Sequence, residues 1–164
     1  MQARARFLGH PVHQMLVVFP LGLLATAVVF DVIHLVGGSQ VMAAVSYWMI
    51  AAGLVGGLFA APFGLVDWLG VPKGTRARRI GAMHGLGNVL VLLLFGLSFM
   101  LRDRGYAPEI GQVIWAFAGG AIALATAWLG GELVDRLSVG VDEGAGVNAA
   151  SSLGRKNAGV AAGE

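Results

Sequence analysis

Gly9-His10-Pro11-Val12-His13 leads directly into Gln14-Met15-Leu16-Val17-Val18-Phe19-Pro20, and the apolar run continues to Val36. Reading this stretch decides the fold. After the opening histidines the run carries one acid, Asp31, and one further histidine, His34. A helix needs about 20 predominantly apolar residues to cross a bilayer, and this run supplies them. The segment therefore reads as a spanning helix, with His10 and His13 where it enters the membrane.

Composition agrees. The chain of 164 residues is 57% hydrophobic and 12% charged, with a mean hydropathy of +0.76. A soluble globule carries about 25% charged residues. Three more segments qualify as spans, roughly 42–70, 79–101 and 112–134, beside the first at 13–36. Pro11 suits the first turn of a helix, which makes His10 the expected N-cap, and Thr75 is the expected cap of the third span. Pro20 and Pro62 fall inside spans and predict kinks. Ala25-Thr26-Ala27 suggests a signal-peptide cleavage site, but the apolar run continues well past it, which favours a retained helix. Zero cysteines exclude disulfides, thiolate metal sites and cysteine nucleophiles.

Basic residues set the expected orientation. Arg4, Arg6, Lys73, Arg76, Arg78, Arg79, Arg136, Arg155 and Lys156 fall on one side, against Arg102 and Arg104 on the other. Nine against two predicts both termini in the cytoplasm, an N-in/C-in all-α bundle of four transmembrane helices. The expected division is a transmembrane domain over 8–137 and a flexible cytoplasmic tail over 138–164, where Gly, Ala, Ser and Asn replace any apolar period. Gly53-x-x-x-Gly57, extended by Ala61, and Gly81-x-x-x-Gly85 have the small-residue spacing that brings helix backbones close in lipid. Close packing within the chain is the preferred reading over a dimer face.

With this topology, polar side chains from all four helices gather at one end: His10 and His13, Asp67, His84 with Asn88, and Glu132 with Asp135. His84 and Asn88 are four apart and share a helical face. Each has an ordinary alternative. The first two histidines can serve as interfacial caps, and Asp67 and Glu132 can pair with Arg78 or Arg79. Asp31 lies five turns from His13, about 27 Å along the helix, so the two cannot share one site. Arg102 and Arg104 are the expected partners of Asp31.

The opening Gly9–Gly22 run resembles the start of an uncharacterised bacterial four-helix membrane family, domain of unknown function 2231. Phe30-Asp31, Gly64-Leu65-Val66-Asp67-Trp68 and Ala77-Arg78-Arg79 leading to His84 and Asn88 resemble its other signature positions. Members commonly carry His-Pro-x-His-Pro, where this chain has Gln14 at the last place. The resemblance covers about residues 8–135. It implies a multi-pass protein of the bacterial inner membrane, without a settled activity. Some members are joined to iron–sulfur or cytochrome-like domains, which implies a redox setting.

Two chemistries and one bland role follow. His13 and His84, with Asn88 beside them, are candidates to hold a b-type haem, or to serve a quinone-linked electron-transfer subunit. Alternatively His10, His13, Asp67, His84 and Glu132 supply nitrogen and oxygen ligands for a divalent metal such as zinc. The third reading is a membrane anchor in which the polar cluster holds helices together. Expected partners are the lipid bilayer and either a redox protein or further copies of the chain. No feature points to nucleic acid, and no serine–histidine nucleophile pattern or phosphate loop suggests a hydrolase.

Overall fold

The computed structural model describes residues 1–103 and 107–154. The chain opens with a two-rung antiparallel hairpin, β1 (Arg6–Phe7) and β2 (His10–Pro11), pairing Arg6 with Pro11 and Phe7 with His10. Leu8 and Gly9 turn it, both with positive φ. Among the described residues five helices follow: α1 (Val12–Leu16), α2 (Val18–Gly37), α3 (Gln40–Gly70), α4 (Arg76–Leu101) and α5 (Ile110–Gly131). A five-residue π-helical turn, Glu132–Arg136, closes the last.

Among the described residues four helical stretches are long and apolar enough to cross a membrane: Val12–Gly37 (α1 and α2 together), Gln40–Gly70, Arg76–Leu101 and Ile110–Arg136. All four expected spans are present, and the protein is a multi-pass all-α membrane protein. Exposed leucines, valines and phenylalanines coat the outside, as lipid requires. Inside, Leu24, Ala27, Ile50, Val91, Phe95 and Ala116 form one core. α2 packs on α3, α3 on α4, α4 on α5 and α5 back on α2, so α2 and α4 face one another across the bundle.

Local chemistry explains the helix limits. The first span breaks at Val17 rather than bending at Pro20 itself. Proline lacks an N–H and its ring crowds the carbonyl four residues back, which here is Leu16, the last residue of α1. Helical bonding resumes around the gap through Val17 N to His13 O (3.0 Å) and Leu21 N to Val17 O (3.1 Å). Helix α3 runs through Pro62 without interruption. Thr75 caps α4 as expected, its hydroxyl accepting from Arg78 N. His10 does not cap the first helix: Pro11, paired with Arg6 in the hairpin, holds the N-cap position with no side-chain bond, and His10 lies one residue further out, opposite Phe7.

The Gly53–Gly57 pair packs within the chain. A Cβ on Gly53 would strike the Leu24 side chain at 2.6 Å, and one on Gly57 would strike Leu92 at 2.6 Å. The same position on Gly85 meets nothing within 4 Å.

Between Ser138 and Ser152 the chain makes contacts with the amino terminus. The Met1 ammonium donates to Ser138 O (3.0 Å), and Gly140 N donates to Met1 O (2.9 Å). Asp142 pairs with Arg6 at 3.1 Å and accepts from Gln2. Ser152 donates to Leu8 O. These bonds run as far as Ser152, along a segment without helix.

Candidate functional site

His13 lies in α1 and His84 in α4, on helices that enter the bundle from the same end. Their rings meet across the interior with centroids 6.5 Å apart and planes perpendicular. Each ring is oriented by the helix next to it. His13 Nδ1 lies 3.0 Å from Ala60 O on α3, and His84 Nδ1 lies 2.9 Å from Thr126 O on α5. A carbonyl oxygen only accepts, so both Nδ1 atoms carry a proton in this arrangement, which in a neutral ring leaves the lone pair on Nε2.

Glycines make room for the rings. A Cβ on Gly64 would lie 2.8 Å from His13 Cε1, and one on Gly130 would lie 3.2 Å from His84 Cε1. Each glycine is one turn beyond the carbonyl that holds its imidazole, 60 to 64 and 126 to 130. Asn88 completes the cluster. Its amide nitrogen donates to His84 O (2.8 Å) and reaches His84 Nε2 (3.2 Å). Its amide oxygen lies 3.3 Å from the Thr126 hydroxyl, which also reaches Ala123 O at 3.0 Å.

The other candidates do not join this cluster. Asp67 accepts two backbone N–H bonds, from Arg4 (2.7 Å) and Ala5 (2.9 Å), and so ties the amino-terminal strap to the end of α3. Glu132 pairs with Arg76 at 2.7 Å, rather than with Arg78 or Arg79. Arg78 instead lies over the Trp68 ring at 3.9 Å and donates to the carbonyls of Trp68, Leu69 and Val71, closing the end of α3. His10 Nε2 is 3.4 Å from the Ser152 hydroxyl. Among the described residues no group of three or more His, Asp or Glu side chains is placed to hold a metal ion. Of the five-ligand set His10, His13, Asp67, His84 and Glu132, the two imidazoles His13 and His84 approach each other, while Asp67 is hydrogen-bonded by backbone N–H groups and Glu132 is paired with Arg76.

At the opposite end, Arg102 meets Asp31 in a bidentate pair, Nη1 to Oδ1 at 2.8 Å and Nη2 to Oδ2 at 2.6 Å, both side chains fully buried. Ser46 and Ser98 hydroxyls satisfy the remaining guanidinium hydrogens. Arg104, the other expected partner, lies outside the described residues. His34 bonds Ser39 O and takes no part.

Two features were not legible from sequence. The carbonyls of Ala60 and Thr126 carry no side-chain signal, since any residue offers one. Gly64 and Gly130 do show in sequence, but only the fold reveals which ring each one faces.

The family model described as predicted membrane protein (DUF2231) matches residues 9–143, most of the chain. The chain belongs to this family. The matched span of DUF2231 begins at the His10–His13 motif, contains both site histidines, and ends beyond Asp142, taking in part of the segment folded back on the amino terminus. Membership agrees with the four membrane helices and carries no activity with it. No curated protein and no solved structure matches the chain.

Proposed function

We propose that this protein is an electron-carrying membrane subunit that binds one b-type haem between His13 and His84. A single observation carries the proposal: two imidazoles from opposite helices, 6.5 Å apart, each with its Nδ1–H donated to a backbone carbonyl. His13 and His84 would be the residues to hold the haem iron, each through the Nε2 of a ring whose Nδ1–H is already held by a carbonyl. Bonding the second nitrogen to a carbonyl fixes the ring and raises the basicity of Nε2, as supporting groups do for ligating histidines.

The donor set fits this group better than the alternatives. A porphyrin brings four nitrogens of its own and asks the protein for two, which is what the site offers. A bare divalent ion asks for three or four protein ligands, and the acids that could add them are engaged elsewhere. A quinone carbonyl asks for a donor, whereas both imidazole N–H groups are committed to Ala60 and Thr126. When bound, the haem supplies a one-electron couple. The chain's own residues hold the rings, and the arginines at this end of the bundle provide positive charge for propionates. The nine-to-two distribution of basic residues supports placing this end at the cytoplasmic face of a bacterial inner membrane.

The Asn88 amide at His84 Nε2 favours a second reading, a fully satisfied polar cluster that only holds helices together. The visible spectrum of the purified protein, with iron and zinc analysis, separates the two. Haem binding requires a Soret band at about one haem per chain, lost in both His13→Ala and His84→Ala and retained in Asn88→Ala, whose amide ligation would displace. A colourless protein with stoichiometric zinc replaces haem by a metal ion. Absence of both leaves the assembly role.

A further inference from the structure

One pair of sequence offsets relates the two halves of the chain. A step of 71 residues carries His13 to His84, and a step of 66 carries its acceptor Ala60 to Thr126 and the adjoining Gly64 to Gly130. The same steps carry the close contact of Gly53 with Leu24 onto that of Gly119 with Phe95. They also relate the buried positions. Pro20, Leu24, Ala27 and Asp31 in α2 map onto Val91, Phe95, Ser98 and Arg102. Tyr47, Ile50, Gly53 and Ala60 in α3 map onto Val113, Ala116, Gly119 and Thr126, every buried position of α5.

Helical periodicity alone makes burial patterns look alike. It does not make a histidine bond a carbonyl on the neighbouring helix, with a glycine one turn further on, twice at the same pair of offsets. Nor does it place the two cross-bundle polar contacts, His13 with His84 and Asp31 with Arg102, both between residues 71 apart. Two equivalent positions touch each other only on a twofold axis, and here they do so at both ends of the bundle. The halves differ in length where they turn: α2 and α3 reach beyond Asp31 and Ser46, while α4 ends beside Arg102.

We infer that the molecule is two copies of one helical hairpin about a pseudo-twofold axis, and that the buried Asp31–Arg102 pair is the element that makes each hairpin accept only the other. The partner of the first hairpin's inner face is the second hairpin. Two first hairpins together would bury aspartate against aspartate on the axis, and two second hairpins would bury arginine against arginine. Only the unlike pair is neutral, and a buried charge without its partner is strongly unfavourable. This does not depend on what the imidazoles bind.

Charge reversal in the full chain tests it. Asp31→Arg and Arg102→Asp should each reduce folded, detergent-extractable protein by about tenfold or more. Asp31→Arg with Arg102→Asp, together with Ala27→Ser to supply the hydroxyl that Ser98 gives in the native pair, should restore it to within about threefold of wild type. Reversal no better than either single change would show that positions 31 and 102 are not equivalent, and would overturn the inference. A second variant tests pairing apart from folding. Asp31→Leu with Arg102→Met keeps the bundle but removes discrimination, so in-membrane cross-linking should show hairpin-exchanged species larger than the wild type. The same size distribution as wild type would exclude a pairing role.

Discussion

At the scale of residues, the imidazole cluster depends on space as much as on hydrogen bonds. His13 fits because Gly64 has no side chain, and His84 fits because Gly130 has none. The clearances differ, 2.8 Å to the first ring against 3.2 Å to the second, so the same substitution should act unequally. Gly64→Ala should push His13 off the Ala60 carbonyl and destabilise the bundle by about 1–3 kcal/mol, the usual range for overpacking. Gly130→Ala should cost less, because a shift of a few tenths of an ångström accommodates the methyl. Thermal unfolding in detergent, read by circular dichroism, checks the order; equal losses would show that the glycines do not act through the rings.

Among the elements, the short first helix is set by Pro20. The break at Val17 separates α2 from α1, whose His13 reaches the Ala60 carbonyl. Pro20→Ala returns an N–H that can bond Leu16 O and favours one unbroken helix. The expected outcome is a displaced His13, read as loss of the slowed exchange of its Nδ1 proton by solid-state NMR; an unchanged signal would assign the break to tertiary packing. The segment after the π-helical turn acts at this scale too. Truncation after Gly140 removes the Asp142 partner of Arg6 and the Ser152 contact with Leu8 while sparing the Gly140–Met1 bond. The bundle should remain folded, since its core lies in residues 24–116, but proteolysis at Arg4 and Arg6 should quicken. Loss of inserted protein would instead place the segment within the folding unit.

For the whole molecule, orientation is the property on which the proposed role depends. A periplasmic-active reporter fused after Gly38 should be active and one after Gly74 inactive, as the distribution of lysine and arginine requires. The reverse pattern would put the imidazole cluster at the outer face and with it any electron donor.

Length, hydropathy and charge determined the four membrane helices, because lipid admits only helices whose backbone bonds are internal, and about 20 apolar residues in a row leave no other solution. The Thr75 cap and the Asp31–Arg102 pairing were also legible, the first from local bonding and the second because two opposite charges at one depth of a bilayer need each other. Tertiary structure alone decided which polar groups meet. Asp67 and Glu132 share an end with the histidines, yet backbone N–H groups and Arg76 claim them first. The duplicated hairpin was hidden in the sequence for a related reason. Its repeat lies in contacts and burial, and at equivalent places it pairs leucine with phenylalanine, alanine with threonine and aspartate with arginine.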